Sequence, residues 1–579
     1  EYVSSILWTK AYDAKIVGDH AYCAFLNGLV ILDVSNKKKP VLVSRLYLGG
    51  GFGIDIKDNL AFVASGSKGL KIVDITDIKS PVLKGSYDTS GEAKDVAVSG
   101  RYAYVADSES GLQVIDVKKP SKPKLVASLD TPGSASGVII DGDHAFIADG
   151  SSGLQIINIG NPKRPKLAGS YDTPGTSESV AVSGTHAFVA DGSPGLQIVD
   201  FSQPSSPQLA TSFLTSGYAR GVTVRGDYAF VGNLYDGGLQ IIDISDPKAP
   251  EVMAHRKYTM YNEAWDVTVS GDYAYIVDYF AGVYLLRITD PSSPVTTGSY
   301  YTPGSIIMAE AIGNKICAVG DLSGLQVIDI SDPSAPRIAA SRGRMRGVHG
   351  LAAEGDYAYI TDRWSLKIFY VGDPSKTKIV HTFRTPGVAR TPVARGNLVY
   401  LISDHSGFHV IDVSDPKAPE IIGSYEMPGF AYGLAVDGDY AYVASSDTGF
   451  HIISISDPTS PQLVSSMTTP GMAYGVSVRG KYACVADGGS GLQIIDVSRP
   501  DAPSIVGSCK IEGFANGVTV KGDFAFVTDE TSGLKMVDIS DPKAPKVVGS
   551  FDTPGEPAGV TVCGEYLVVL DSFSLLILK

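Results

Sequence analysis

Short apolar runs separated by turn residues follow one another along the whole chain. The segment 137–175 is representative, with four runs rich in Val, Ile, Ala and aromatic residues. Gly142-Asp143 separates its first two runs with hairpin-turn chemistry. In most other segments Ser-Asp-Pro or a variant separates the last two runs, and the proline ends strand pairing there. No apolar period of 3.6 residues persists, so the pattern predicts short β-strands and no substantial helix.

The same frame recurs from end to end. We label the four strands of each unit a to d and call the residue just before strand a the anchor. The frame occurs fourteen times at a spacing of about 42 residues. The anchors are Tyr12, Phe52, Lys94, Ser136, Glu178, Arg220, Trp265, Ile307, His349, Arg390, Tyr432, Tyr474, Asn516 and Ala558. Four antiparallel strands in about 42 residues make one propeller blade, so the sequence predicts an all-β protein, a β-propeller of fourteen four-stranded blades.

The two ends of the chain complement each other. The last unit stops after its strand c, at residues 575–579, and has no strand d. Residues 1–8 resemble a strand d, such as the one at 42–48. The N-terminal strand is therefore predicted to complete a blade made by later residues, which removes exposed strand edges.

Fourteen blades can close as two rings of seven or as one ring of fourteen. Propellers usually have four to eight blades, and a ring of fourteen would surround a wide solvent hole. We therefore favour two seven-bladed propellers, at 1–290 and 291–579, over a single propeller at 1–579.

The two arrangements place the N-terminal strand differently. With two rings, we expect residues 1–8 to complete the blade of 261–290. Val295–Tyr301 would then complete the last blade, at 556–579. With one ring, residues 1–8 would join that last blade instead.

The strand-c motif is specific. It reads LKIVD at 70–74, LQIVD at 196–200 and LQIID at 239–243. This motif resembles the LVIVD-repeat family of bacterial and archaeal proteins. The resemblance implies a β-propeller in an exported or cell-surface protein, with an extracellular or cell-surface location. It implies no catalytic residues.

The amino-acid composition disfavours some classes of binding partner and some kinds of site. The chain has 48 Lys and Arg against 62 Asp and Glu, a net charge of −14, which disfavours nucleic acid as a partner. No apolar run is long enough for a transmembrane helix. The five cysteines lie far apart without a CxxC motif and are predicted to be small buried hydrophobic residues. They are Cys23, Cys317, Cys484, Cys509 and Cys563.

An aspartate follows strand b in many units. These residues are Asp107, Asp149, Asp191, Asp278, Asp362, Asp487, Asp529 and Asp571. We interpret them as acceptors for loop amides, because a residue needed to build every blade recurs whereas a site occurs once. An acidic ring that binds calcium is the alternative. The sequence otherwise predicts no cofactor and no metal site.

Binding residues are expected where the repeats disagree, at the anchors. Aromatic and arginine side chains are favoured at recognition hot spots, and loops on a rigid scaffold carry binding groups. Consecutive blades are neighbours, so two arcs are predicted. The candidate binding residues are Glu178, Arg220 and Trp265 in one arc, and His349, Arg390, Tyr432 and Tyr474 in the other. No catalytic residue is predicted.

These observations favour a secreted or cell-surface scaffold that binds a protein, glycan or cell-envelope partner through loops at the channel mouth. One alternative is a polysaccharide lyase or hydrolase with His349 as base, Arg390 as charge stabiliser and Tyr432 as proton donor. Another is a structural subunit of a surface assembly. Whether the protein is an enzyme is left open, with binding favoured, and the sequence does not define the oligomeric state.

Overall fold

The computed structural model consists almost entirely of β-strands. It describes residues 2–6, 8–235, 237–258, 263–279, 282–301, 306–321, 323–343, 345–404, 406–427, 429–446, 448–553, 555–571 and 574–579. Fourteen antiparallel sheets of four strands account for the strands of these residues. The helical content of the same residues is one short 3₁₀ turn at Pro374–Lys376. The predicted all-β class and the fourteen four-stranded blades are confirmed.

The chain divides into two compact units. The N-terminal unit is Trp8–Thr302, and the C-terminal unit combines Pro303–Lys579 with Glu1–Leu7. The strands of the N-terminal unit are β2 (Ala11–Val17), β3 (His20–Phe25), β4 (Gly28–Asp33), β5 (Val41–Tyr47), β6 (Gly53–Lys57), β7 (Leu60–Ala64), β8 (Leu70–Asp74), β9 (Val82–Tyr87), β10 (Asp95–Ser99), β11 (Tyr102–Ala106), β12 (Leu112–Asp116), β13 (Lys124–Leu129), β14 (Gly137–Asp141), β15 (His144–Ala148), β16 (Leu154–Asn158), β17 (Lys166–Tyr171), β18 (Ser179–Ser183), β19 (His186–Ala190), β20 (Leu196–Asp200), β21 (Gln208–Phe213), β22 (Tyr218–Arg225), β23 (Tyr228–Leu234), β24 (Gly238–Asp243), β25 (Glu251–Arg256), β26 (Ala264–Ser270), β27 (Tyr273–Asp278), β28 (Gly282–Arg287) and β29 (Val295–Tyr301).

The C-terminal unit has the same blade pattern. Its strands are β1 (Tyr2–Ile6), β30 (Met308–Ile312), β31 (Lys315–Gly320), β32 (Gly324–Asp329), β33 (Arg337–Arg342), β34 (Val348–Glu354), β35 (Tyr357–Asp362), β36 (Ser365–Tyr370), β37 (Lys378–Arg384), β38 (Val388–Arg395), β39 (Leu398–Asp404), β40 (Gly407–Asp412), β41 (Glu420–Tyr425), β42 (Ala431–Asp437), β43 (Tyr440–Ser445), β44 (Gly449–Ser454), β45 (Gln462–Met467), β46 (Gly475–Arg479), β47 (Tyr482–Ala486), β48 (Leu492–Asp496), β49 (Ser504–Cys509), β50 (Ala515–Lys521), β51 (Phe524–Asp529), β52 (Gly533–Asp538), β53 (Lys546–Phe551), β54 (Pro557–Cys563), β55 (Tyr566–Asp571) and β56 (Ser574–Leu578).

The N-terminal strand completes the last blade. Strand β1 pairs antiparallel with β56, so the sheet has the order β1-β56-β55-β54. Strand β29 pairs with β28 of its own blade. The expected exchange, with residues 1–8 on the blade of 261–290 and Val295–Tyr301 on the last blade, is therefore wrong. A short turn joins β28 to β29, and closing a short loop costs less entropy than pairing β29 with a distant strand.

The core lies between neighbouring blades. Phe146 and Ile156 of one blade, for example, pack against Val180 and Val189 of the next. Burying a side chain of this size contributes about 1.5–3 kcal/mol. The first and last blades of the N-terminal unit share such a core, which includes Ala14, Val30, Tyr275 and Leu285.

The C-terminal unit has the equivalent core between its first and last blades. There Ile6 of β1 and Leu575 of β56 pack in one cluster with Ile316 and Ile328. The N-terminal strand therefore contributes both backbone pairing and buried apolar surface to this unit.

The aspartate after strand b ties one blade to the next. Asp149 Oδ1 accepts a hydrogen bond of 2.6 Å from the Thr131 hydroxyl, and its Oδ2 accepts one of 2.9 Å from the Gly133 amide. Both donors belong to the Thr-Pro-Gly loop that leads out of the preceding blade. Asp107 and Asp191 bond their own Thr and Gly in the same way. The predicted role of these aspartates as acceptors for loop groups is confirmed at these positions.

The cysteines are structural. All five are free and buried, as predicted. In the part of the chain that the structure describes, no helix is long and apolar enough to cross a membrane.

Candidate functional site

A β-bulge sets the direction of several anchor side chains. In the first blade, Ala11 faces Phe25 and Asp13 faces Ala24, which leaves Tyr12 as an extra residue. The same shift brackets Arg220 and Trp265. A bulge bends the strand and re-aims the side chain of the extra residue. In these three blades the anchor is therefore an extra residue with no partner position on strand b.

The anchors of the N-terminal unit meet in one cavity. Its volume is about 700 Å³, and strand a of every blade in the unit contributes to its wall. The seven anchors that line it are Tyr12, Phe52, Lys94, Ser136, Glu178, Arg220 and Trp265. We refer to it below as the N-terminal cavity.

The side chains of the first predicted arc contact one another along this wall. Arg220 Nη1 lies 2.5 Å from Glu178 Oε2, and the Arg220 guanidinium carbon lies 4.5 Å from the centre of the Trp265 ring. The Tyr218 hydroxyl donates a hydrogen bond of 2.8 Å to Glu178 Oε1. The side chains of Glu178 and Arg220 are only 17% and 21% exposed, so the pair is partly shielded from water. Burial and this bond to Glu178 raise the pKa of Tyr218 to about 12.

Aromatic rings form the adjoining part of the wall. The Tyr12 ring lies 4.8 Å from Phe52 and 5.1 Å from Trp265, and Trp265 stacks on Tyr279 at 4.7 Å. The Lys94 ammonium lies 5.0 Å from the Phe52 ring and forms an ion pair of 2.7 Å with Glu92. Rings spaced in this way present flat apolar faces beside charged groups, an arrangement suited to recognition.

A second set of charged residues lines the same cavity. It consists of Asp13, Asp95 and Asp266, one residue after their anchors, and Lys15 and Asp55, three residues after theirs. We call these five residues the inner layer.

Several inner-layer carboxylates also bond the next blade. Asp13 Oδ2 accepts the Ile54 amide at 2.8 Å, and Asp95 Oδ2 accepts the Val138 amide at 2.8 Å. Lys15 Nζ lies 3.7 Å from Asp13 Oδ1, and the Asp266 carboxyl is hydrogen-bonded to the Asp13 carboxyl. A Cβ atom at Gly53 would come within 2.6 Å of Asp95 Oδ1, so only glycine leaves room for that carboxylate.

Burial and the charges of neighbouring inner-layer residues shift the pKa values of this layer. Burial, followed by the negative charge of Asp13, raises the pKa of Asp95 to about 7 and raises the pKa of Asp266. Burial also raises the pKa of Asp55. The adjacent Asp13 carboxylate raises the pKa of Lys15.

The second predicted arc lies in the C-terminal unit. Arg390 donates two hydrogen bonds to Asp404, from Nε at 2.6 Å and from Nη2 at 2.7 Å. Its guanidinium carbon lies 4.9 Å from the Tyr432 ring, and Tyr432 lies 5.2 Å from Tyr474. Burial, followed by the positive charge of Arg390, lowers the pKa of His349. Tyr474 also packs on Phe514 at 5.2 Å.

The structure thus brings the members of each predicted arc together within its own unit. Their role in binding remains a prediction. The sequence reasoning missed Tyr218, Tyr279 and Asp404, which lie at or next to strand ends and bond to or stack on the anchors. It also missed the inner layer, although the residues that follow the anchors vary among Asp, Gly, Ser, Met and Thr as the anchors themselves vary.

No metal centre is evident. Among the described residues, no group of three or more His, Cys, Asp and Glu side chains is placed to hold a metal ion. The calcium alternative is not tested by this arrangement.

Comparison with known proteins identifies the repeat. The family model described as LVIVD repeat matches thirteen segments, at 9–47, 50–89, 90–131, 132–173, 174–215, 216–255, 262–302, 316–341, 346–385, 386–427, 428–469, 470–511 and 512–553. No curated protein matches the chain.

Many solved structures match the chain, among them PorZ and a computationally designed protein. PorZ of Porphyromonas gingivalis, described as an essential bacterial surface component of the type-IX secretion system, is 12% identical, with a TM-score of 0.64. That match covers 100% of this chain and 86% of PorZ. The computationally designed protein Ika8 is 9% identical, covers 54% of this chain and 94% of its own, and has a TM-score of 0.39, too low to support any argument. The likeness to PorZ supports the fold alone.

Proposed function

The chain belongs to the LVIVD-repeat family, and from that premise we propose that it is an exported, surface-displayed scaffold that binds a protein or glycan partner through the N-terminal cavity. The observation that carries the proposal is the convergence of seven non-identical anchors on one cavity of about 700 Å³. Blade-building residues such as Asp149 recur from blade to blade, whereas Glu178, Arg220 and Trp265 each occur once in this wall.

We infer that each unit is a closed seven-bladed propeller. Shared cores between the first and last blades support this inference, through Ala14 and Tyr275 in one unit and through Ile6 and Ile316 in the other. A closed ring leaves only short, protected sheet edges and holds its anchors rigidly. Rigid placement of polar and aromatic groups reduces the entropy lost on binding.

The arc of His349, Arg390, Tyr432 and Tyr474 is proposed as a second contact surface, in the C-terminal unit. Its geometry gives the lyase alternative less support, because Asp404 already takes two of the Arg390 N–H donors. A lyase needs a cation free to hold a carboxylate-bearing sugar. Turnover of uronate polymers by the purified protein would nevertheless establish the enzyme alternative.

The binding proposal is tested with arrays of cell-envelope glycans and of overlapping peptides probed with the purified chain. Trp265→Ala removes one wall of the N-terminal cavity and is expected to lower the affinity for any array hit at least about tenfold. Trp364→Ala is the matched control, because Trp364 is 59% exposed in a loop of the C-terminal unit. Equal binding by Trp265→Ala and the parent protein would remove the cavity from the proposal.

The location is tested separately. Protease treatment of intact cells that express the native protein should degrade the chain if it is displayed at the surface. Full protection in intact cells, with degradation after lysis, would contradict the proposed location.

A further inference from the structure

The charges of the N-terminal cavity do not balance. Its ionisable lining includes the acids Asp13, Asp55, Asp95, Glu178 and Asp266 and the bases Lys15, Lys94 and Arg220. Glu178 pairs with Arg220, and Lys94 pairs with Glu92. The remaining groups are four aspartates and one lysine, Lys15. The inner layer therefore carries an excess of carboxylates inside a cavity.

The fold itself does not require these carboxylates. The residue after the anchor is Gly53, Gly137, Ser179 or Gly221 in the four other blades of the same unit. In the C-terminal unit that position is Met308, Gly350, Thr391, Gly433, Gly475, Gly517 and Gly559, without an acid in any blade. Seven blades thus form without an acidic residue at this position. The three acids directly after the anchors are a property of one cavity and not of the blade, whereas the position of Asp55, three residues after the anchor, has one acid in the C-terminal unit, Glu310.

One carboxylate oxygen has spare acceptor capacity. Asp13 is only 8% exposed, and among the described residues no N–H or hydroxyl group donates a hydrogen bond to its Oδ1, while its carboxyl group is hydrogen-bonded to the Asp266 carboxyl. The nearest cation is Lys15 Nζ, at 3.7 Å, beyond ordinary hydrogen-bond length. Two buried carboxyl groups in contact need a proton or a cation between them, and a ligand can supply that cation.

We propose that the inner layer of the N-terminal cavity binds an alkylammonium group, supplied either by a lysine side chain of a partner protein or by a free polyamine. An ammonium has three donors and one positive charge, which matches a cavity wall where carboxyl groups outnumber cations. The rings of Tyr12, Phe52 and Trp265 line the same cavity and favour the adjacent methylene groups and the cation. Lys15 is the internal precedent, an ammonium group already held in this layer. The inference deepens the proposed function and rests on it.

Binding of a cation should be linked to proton release. Asp95 and Asp266 are easier to protonate than ordinary aspartates while the cavity holds no added cation. A positive ligand beside them lowers their proton affinity, so they lose protons as the ligand binds. The groups that face them across the cavity are Asp13, Lys15, Asp55, Lys94, Glu178 and Arg220. Affinity is therefore expected to rise as the pH is raised from about 5 to 7.5.

The experiment is titration calorimetry with spermidine and, separately, with a short peptide containing one lysine. Asp266→Asn is expected to weaken binding at least about tenfold, because a unit charge near the ligand is lost. Lys15→Met is expected to strengthen it by a similar factor, because the competing ammonium is removed. Asp130→Asn is the control, since Asp130 is exposed in a loop outside the cavity lining.

The outcomes distinguish the two sources of the ammonium group, and they distinguish this inference from the proposed function. Tighter binding of the peptide supports a lysine side chain, and tighter binding of spermidine supports a free polyamine. Absence of binding to both the parent protein and Lys15→Met, each confirmed to be folded, overturns the inference. Alkylammonium binding without any array hit would keep this inference and remove the macromolecular partner. Array hits that depend on Trp265 but not on Asp266 would keep the macromolecular partner and remove the alkylammonium inference.

Discussion

Tyr2 and Leu578 face each other across the pairing of β1 with β56, so the two ends of the chain lie in one blade. The C-terminal unit thus includes residues from both termini, whereas the N-terminal unit is continuous in sequence. A change in β1 should therefore act on the unit that is distant from it in sequence.

Ile6→Ala tests this relationship. Ile6 is 4% exposed and packs in the cluster with Ile316 and Leu575. Truncating a buried isoleucine costs about 2–5 kcal/mol, so the free energy of unfolding of the C-terminal unit should fall by that amount. Hydrogen exchange followed in peptides from each unit during urea titration measures the effect. Ile54 is buried between two blades of the N-terminal unit, so Ile54→Ala should lower the free energy of unfolding of that unit instead. An equal loss in both units on Ile6→Ala would contradict the placement of β1 in the C-terminal unit.

Asp149→Ala tests the link between blades. The variant leaves the Thr131 hydroxyl and the Gly133 amide without their acceptor. Leaving buried donors unsatisfied costs about 1–3 kcal/mol, which should appear as a lower urea midpoint with an unchanged slope. Asp143→Asn, at an exposed turn of the same blade, should change stability by less than about 0.5 kcal/mol. Equal effects of the two variants would mean that the link does not stabilise the fold.

The sequence predicts the blades better than it predicts the site. Blade-building residues recur, so Gly142 in a turn and Asp149 in a loop are recognisable by comparing one unit with the next. The pairing of β1 is harder to predict than the blades, because β1 and β29 are both strand-d sequences. Either could complete the blade of 261–290 or the blade of 556–579. The short turn from β28 to β29 decides the outcome, and turn closure is not visible in strand composition.

The candidate site shows the same contrast. The anchor positions could be identified because they vary, and the structure groups them as neighbours around each unit. Asp404 could not be identified as the partner of Arg390, because it follows a strand b like the recurring aspartates that bond loop groups. The inner layer depends on which face of strand a meets the cavity, and the bulge at residues such as Tyr12 changes that face.

Glu178→Gln tests the contacts of Glu178 with Arg220 and Tyr218 at the cavity wall. The change removes the charge that pairs with Arg220 while keeping an acceptor for the Tyr218 hydroxyl. A charge-assisted hydrogen bond contributes about 1.5–3 kcal/mol, so the N-terminal unit should lose roughly 2 kcal/mol of unfolding free energy. Calorimetric unfolding measures the loss. Glu109→Gln, in an exposed loop of the same unit, is the control, and an unchanged transition in Glu178→Gln would show that the pair is not stabilising.

The two units should respond to pH in opposite directions. In the N-terminal unit, burial raises the pKa of Asp55, Asp95 and Asp266 above the value of about 4 in the unfolded chain. The folded state then binds more protons than the unfolded state between pH 4 and about 7. Its free energy of unfolding should therefore fall as the pH rises through that window. Lys15, whose pKa is also raised, remains protonated in both states there and does not oppose the trend.

Histidines give the C-terminal unit the opposite slope. Burial lowers the pKa of His349, His409 and His451, so below about pH 6.5 the unfolded chain binds more protons at these residues. Their contribution to stability is present above that pH and is lost as the pH falls, although Glu310, with a pKa raised by burial to about 7, offsets part of it. Hydrogen exchange of each unit at pH 5, 6 and 7, corrected for intrinsic rates, measures both slopes. Asp95→Asn should flatten the slope of the N-terminal unit and leave that of the C-terminal unit unchanged, whereas the parental slope in that variant would exclude Asp95 as its source.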